Sequence, residues 1–312
     1  MKPVDIGGQA VIEGVMMKNK NTYAVAVRKP DKEIIIDKRE YTSFSEKVKL
    51  FKLPIFRGML AFVESLVIGM KILTYSAEFF EVEDENEKEP GKFDRFLTKT
   101  FGDKLDKVVV GFSVVLSIIL AMGLFVLLPL GLSQLVKDKL PNESLINLVD
   151  GVIRVIIFLA YLKIISLMKD IQRVFQYHGA EHKSINCLEH EEELTVENIK
   201  KQSRYHKRCG TNFLLIVVLM SILVLMIIDV RTFWLRFAVR ILCLPLIAGL
   251  SYEIIKWLGR SESKIAAIIS KPGLWLQRLT TREPDGSQIE VAIASLKGVL
   301  VTDEEDHKEC TG

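Results

Sequence analysis

The stretch VVVGFSVVLSIILAMGLFVLLPLGL, residues 108–132, runs through 25 positions without one charged side chain. A helix that satisfies its own backbone hydrogen bonds needs about 20 apolar residues to cross the hydrocarbon core of a bilayer. The stretch therefore reads as a membrane span. Composition agrees, since 49% hydrophobic residues and a mean hydropathy of +0.25 are high for a soluble chain of 312 residues. Three further stretches follow it. Leu145–Met168 contains Asp150, Arg154 and Lys163, Asn212–Ile228 is NFLLIVVLMSILVLMII, and Phe233–Trp257 carries Arg236, Arg240 and Glu253. The pattern predicts a mainly α, polytopic helical membrane protein with about four transmembrane helices.

Basic residues orient the spans. The segment 169–211 holds Lys169, Arg173, Lys183, Lys200, Lys201, Arg204, Lys207 and Arg208, whereas Ser133–Ser144 has only Lys137 and Lys139. The first is expected in the cytoplasm. An even number of spans then places both the N- and C-termini there, in a multi-pass protein of the cell membrane. The start, MKPVDIGGQAVIEG, lacks a charged region followed by a continuous apolar run, so no cleavable signal peptide is read. A net charge of +3 is too small to imply nucleic acid as a partner. Membrane lipid asks only for a locally basic face. The four cysteines lie far apart without a CxxC pair, which argues against a disulfide framework.

Outside the spans, residues 1–50 are expected to form a small cytoplasmic β-containing element, because YAVAVRKPDKEIIIDKRE (23–40) places β-branched runs around a Lys-Pro-Asp-Lys turn. In 51–80, Arg57, Glu64, Lys71 and Glu78 recur every seventh residue and draw one charged stripe along a helix. Such a helix is cheaper in the interface, or with its stripe packed on the bundle, than across lipid. Residues 81–107 read as a charged linker and lead-in, 108–257 as the four-helix transmembrane region with cytoplasmic loop 169–211, and 258–312 as a cytoplasmic C-terminal segment. In the last, Ser287 and Glu290 have capping-box spacing before a short helix, and the final ten residues read as a solvated tail. Gly7, Gly8 and Gly14 lack the spacing of a phosphate-binding loop and suggest a tight turn into a strand. On the outer side Asp150, Arg154, Asp229, Arg231, Arg236 and Arg240 are expected to pair as an ionic cluster, with a headgroup or peptide site as the sharper alternative.

Chemistry concentrates in YHGAEHKSINCLEH, residues 177–190. On a helix, His178 and His182 at i and i+4 share one face and can converge on one ion. With Glu181 they spell His-x-x-Glu-His, the inverted zinc-peptidase order, in which the glutamate takes a proton from water activated by the metal. The reaction would be hydrolysis. For a third ligand the sequence offers Glu253, about 70 residues downstream near the cytoplasmic end of the last span, or the His206-x-x-Cys209 pair. The cost of an unpaired acid at a span end favours Glu253. A plainer reading is a solvated helix end, with Gly179 weakening the helix. Against it, four of the five histidines, with Cys187 and Cys209, fall in one loop, and neutral imidazole and thiolate suit a divalent metal such as zinc. His190, in acidic LEHEEE, reads as exposed, and Cys187 equally as a small buried filler.

The blocks GGQAVIEGVMM, YAVAVRKPD, YHGAEHK, LTVENIKKQSRYHKRCGTNFLLI, SYEIIK and PGLWLQRLTTREPDGSQIEVAIASLK together resemble the YqhQ-like family of bacterial membrane proteins, over nearly the whole chain. That family is catalogued as a domain of unknown function, and it sometimes carries the label of a metal-dependent enzyme. The resemblance implies that its hallmark stretch falls on His178, Glu181 and His182, with His206, Cys209, Gly210 and Thr211 in a second block. Lys207 stands where relatives often have proline. Two function classes follow: a membrane metal-dependent hydrolase acting on a peptide or lipid-linked substrate, or a non-catalytic scaffold or assembly factor that docks a membrane-protein or cytoplasmic partner.

Overall fold

The computed structural model describes residues 6–44, 48, 51, 53–80, 105–140, 142–228, 230, 232–261 and 263–309. The linker at 81–104, Asp229, Arg231, Cys310 and the last residues of the expected tail lie outside them. In chain order the strands are β1 (Ile6–Val11), β2 (Gly14–Asn19), β3 (Thr22–Arg28) and β4 (Ile34–Glu40). The helices are α1 (Phe56–Glu78), α2 (Leu105–Met122), α3 (Leu128–Gln134), α4 (Glu143–Ile165), α5 (Lys169–Glu189), α6 (Val196–Lys201), α7 (Gly210–Met226), α8 (Phe233–Arg260), α9 (Lys264–Thr280) and α10 (Gly286–Glu309). The chain is mainly helical with a small N-terminal antiparallel sheet. It divides into two compact units, one of Met1–Phe80, Leu159–Val224 and Leu242–Gly312, the other of Glu81–Phe158 and Leu225–Ile241.

In the first unit the sheet is a meander, β1-β2-β3-β4, with Val15 opposite Ala26 and Val25 opposite Asp37. The Lys-Pro-Asp-Lys turn does join two strands, β3 and β4. The glycine-rich start was expected to turn. It runs instead as β1, and the turn falls at Ile12–Glu13, where Glu13 takes a positive φ of 50°. Period-2 alternation assigns the two faces of the sheet. Val15, Met17, Ala24 and Ala26 pack with Tyr177, Ala180 and Ile185 of α5 and Ile289, Ala292 and Leu296 of α10. Met16, Tyr23, Val25 and Val27 pack on the other side with Ile68 and Ile72 of α1. Both faces are covered, so the central strands read as nearly continuous apolar runs.

The first half of the charged stripe of α1 is engaged, whereas Lys71 and Glu78 are exposed. Arg57 holds Glu253 of α8 through both carboxylate oxygens, and Glu64 accepts from the Ser43 hydroxyl and the Phe44 N–H. The cap of helix α10 falls two residues before the expected one. Asp285 Oδ1 accepts the Gln288 N–H at 2.9 Å while Gln288 Oε1 accepts the Asp285 N–H at 3.0 Å, a reciprocal capping box. Glu290 is committed elsewhere, to Arg28 at 2.7 Å. The helix is also longer than expected, its backbone continuing to Glu309 through most of the presumed tail.

In the second unit, α2 passes through a π-helical turn at Gly123–Leu127 into α3. Pro129 accounts for the widening, since it has no N–H to return to the carbonyl one turn back. Asp150, almost fully buried, accepts from Arg154 and Arg240 at 2.9 Å each. Arg236 pairs with Glu143 and donates to the Val230 carbonyl at 2.6 Å. Pairing is what makes these charges tolerable among apolar helices.

Among the described residues two helical runs are long and apolar enough to cross a membrane, Gly111–Gln134 and α8. A third counts if α4 and α5 are one broken span, for they are bent by 98°. Helix α4 does not run on into the histidine stretch. It ends at Ile165, and Met168 is extended (ψ 130°) before α5 begins. The Arg282 guanidinium caps this corner at the Ser166 carbonyl, 3.1 Å away. Helix α7 is apolar but has 17 residues, about 26 Å at 1.5 Å per residue, a little less than the hydrocarbon thickness.

Candidate metal centre

Helix α5 carries His178, Glu181 and His182, and its C-terminal half is buried almost throughout. Gly179, between the histidines, is where the segment between α9 and α10 crosses. A Cβ there would lie 2.0 Å from the Arg282 carbonyl oxygen, and the Arg282 N–H donates to the Phe175 carbonyl at 2.9 Å. The residue that weakens the helix in isolation thus admits the segment after α9. That segment brings the Thr280 carbonyl to His178.

Both imidazoles are held by one ring nitrogen. His178 Nδ1–H donates to the Thr280 carbonyl at 2.8 Å, and His182 Nδ1–H donates to the Arg204 carbonyl at 2.7 Å. A carbonyl can only accept, so in the neutral ring each bond sets the tautomer and leaves the Nε2 lone pair free, which is how metal-binding imidazoles are oriented. The His178 Nε2 lies 3.2 Å from the Cys209 sulfur. His182 Nε2 is buried and has no hydrogen-bond partner among the described residues. One ligand atom from each of His178, His182 and Cys209 lies within 4.8 Å of the others. That spread suits two nitrogens at about 2.0 Å and a thiolate at about 2.3 Å around one zinc-like ion.

Cys209 immediately precedes α7, and the Thr211 N–H donates to its sulfur at 3.3 Å. Burial alone would push the thiol up, yet His178 and His182 beside it override that cost and hold it well below its ordinary value. For His178 burial works toward the neutral ring, but the facing Cys209 thiolate wins and lifts it to about 9. Each group thus favours the charged form of the other, and an ion bound there would take the place of any proton on His178 Nε2.

Glu181 is 5% exposed, and its Oε2 is buried without a hydrogen-bond partner. Burial pushes its carboxyl up, against the pull of His178 and His182. Strand β1 forms the wall opposite, for a Cβ on Gly8 would lie 2.7 Å from the Glu181 carboxyl carbon. The glycine neither turns the chain nor cradles phosphate. It makes room for this side chain.

The other expected ligands are placed elsewhere. Glu253 is engaged by Arg57 and is not among the converging residues. The apolar helix edge that made an unpaired acid expensive supplied a guanidinium instead. His206 faces Glu189 at 3.4 Å, with its ring centre 5.8 Å from that of His182. Its backbone is clasped by Gln277, which accepts the His206 N–H at 2.9 Å and donates to the His206 carbonyl at 2.7 Å. Glu189 is held in addition by Arg208. Glu13 pairs with Arg173 and the Tyr177 hydroxyl, one turn before the histidines. Cys187 is fully buried as a filler, and His190 is exposed, as expected. Sequence reasoning missed Gly8, Gln277 and the two carbonyl acceptors. Backbone oxygens carry no residue signature, and Gly8 and Gln277 are remote in sequence.

A family model described as "Protein of unknown function (DUF1385)" matches residues 53–302. The chain is similar to the "Uncharacterized protein YqhQ" of Bacillus subtilis (strain 168), 35% identical over 301 residues that cover 96% of this chain and 93% of that protein. No solved structure matches.

Proposed function

The chain belongs to the DUF1385 family, and from the geometry of its buried centre we propose that it is a membrane-bound, metal-dependent hydrolase. The observation that carries this reading is the pair of imidazoles, each fixed through Nδ1 by a carbonyl and grouped with the Cys209 sulfur so that one ligand atom from each lies within 4.8 Å of the others. His178, His182 and Cys209 would hold the ion, a ligand set that zinc accepts. Bound there, a divalent metal supplies Lewis-acid activation of water at neutral pH. Glu181 is the general base: its carboxyl is raised by burial, adjoins both ligands and has an uncommitted Oε2 to take the proton. The substrate is a peptide or lipid-linked molecule reached from the cytoplasmic side. In this reading α4 and α7 complete a four-span, multi-pass arrangement in the cell membrane with both termini in the cytoplasm, which the basic residues of 169–211 support.

One observation favours the alternative of a non-catalytic scaffold. His182 and Cys209 are 1% and 6% exposed, so an ion there could simply clasp α5 to the start of α7. Elemental analysis of the gently purified protein decides the first step: about one metal per chain, lost in His182→Ala and Cys209→Ala, is expected on the general stoichiometry of such sites. Absence of stoichiometric metal would reject both forms of the centre. Glu181→Gln separates them, since it should retain metal and lose turnover of peptide or lipid-linked ester substrates in the enzyme. In the scaffold it should change neither metal content nor partner capture.

A further inference from the structure

Helix α9 has three distinct faces. Ala266, Ser270, Gly273, Leu276, Gln277 and Thr280 are buried. At 100° per residue, Ile265, Ile268, Ile269 and Trp275 fall on a second face, which is open, at 65%, 62%, 45% and 53% exposure. Lys264, Lys271 and Arg278 are spaced seven apart and so form one line along the edge of that apolar face, all exposed. Large apolar side chains gathered on one side of a helix and bordered by basic ones mark a contact surface.

We infer that α9 lies flat in an anionic phospholipid surface. Its isoleucines and Trp275 enter the headgroup–acyl boundary, and Lys264, Lys271 and Arg278 meet headgroup phosphates. The basic line is complementary to anionic headgroups, and indole favours the boundary between apolar and wet. Position agrees as well. Helix α8, one of the runs long and apolar enough to cross a bilayer, ends at Arg260, and only residues 261–263 precede α9. A link of three residues reaches at most about 11 Å, so a chain leaving a span there is still at the membrane surface.

The inner face of the same helix carries the metal centre's supports. Thr280 offers its carbonyl to His178, and Gln277 clasps His206 while donating to Asn212 at 2.9 Å. A helix is about 10 Å across, so the His/Cys group sits roughly one helix diameter from the lipid. This placement holds whether the centre is catalytic or a clasp, and the following test reads it without reference to metal.

The full chain carrying Trp234→Phe and Trp257→Phe retains Trp275 as its sole tryptophan. It is reconstituted in vesicles of phosphatidylcholine with or without phosphatidylglycerol, brominated either near the headgroup end or near the tail end of the acyl chains. Shallow bromines should quench Trp275 more strongly than deep ones, and phosphatidylglycerol should increase the shallow quenching. Lys264→Glu, Lys271→Glu and Arg278→Glu together should abolish that increase. Stronger quenching by deep bromines would make α9 part of a span, and no quenching by either would mean that water, a partner protein or a second copy meets this face. Either result overturns the inference. Quenching that is shallow but indifferent to phosphatidylglycerol in the unreversed protein would overturn the anionic assignment.

Discussion

Glu181 and its wall show how much the centre depends on single atoms. The carboxyl is buried, is raised above its ordinary value chiefly by burial, and leaves Oε2 unpartnered. A group whose folded value is raised binds protons more tightly folded than unfolded, so stability falls as the pH climbs from the ordinary glutamate value of about 4.3 toward the folded one. Metal-free Glu181→Gln should therefore melt above the metal-free parent at neutral pH, and the gap should close as the pH is lowered through that window. Thermal unfolding in chelator, followed at a series of pH values, measures both. Gly8→Ala makes the opposite demand, because its methyl would sit 2.7 Å from the Glu181 carboxyl carbon. The carboxyl must move or the strand must shift, an overpacking cost of about 1–3 kcal/mol. The expected outcome is a lower melting temperature, relieved in the Gly8→Ala/Glu181→Ala double variant, and a thermodynamic cycle over the four proteins reads the coupling.

Helix α5 is the element on which the centre is built, and its i, i+4 histidines were legible at once. The third converging side chain was named only as the second choice. Span-edge energetics pointed to Glu253, yet that carboxylate found Arg57, and Cys209 came instead from the residue before α7. The rule that a charge beside lipid needs a partner was sound, and only the identity of the partner was open. Gly179 was visible merely as a weak point, and its purpose appears in the crossing segment. Gly179→Ala would drive a methyl to 2.0 Å from the Arg282 carbonyl oxygen, pushing away the stretch that presents the Thr280 carbonyl to His178. It should lower the melting temperature and also weaken metal retention, measured by competition with a chromogenic chelator. Replacing the α10 cap is a purely local contrast. Asp285→Ala should cost about 1 kcal/mol in chemical denaturation and leave metal retention as it was.

For the molecule as a whole, orientation is the property with the most direct test. In a chain with Cys243→Ala and Cys310→Ala, Asp138→Cys should react with an impermeant maleimide from outside intact cells. Glu193→Cys should react only after permeabilisation, since the basic segment around it belongs inside by charge. Both positions are exposed in the structure. Reaction of Glu193→Cys from outside would reverse the orientation and move the proposed centre to the other face.

Much of the architecture was readable from periodicity and charge alone. The uninterrupted apolar run at 108–132, the β3–turn–β4 pattern, the helix of α1 and the His-x-x-Glu-His face all depend on neighbours within a few turns. Such local rules operate on residues close in the chain. Tertiary structure alone brought β1 against Glu181, the end of α9 against His178 and Cys209 between two imidazoles. Those meetings join segments from 31 to more than 100 residues apart. They are settled by the shared core of sheet, α5 and α10, whose packing decides which backbone oxygen and which sulfur arrive, and no local pattern records that.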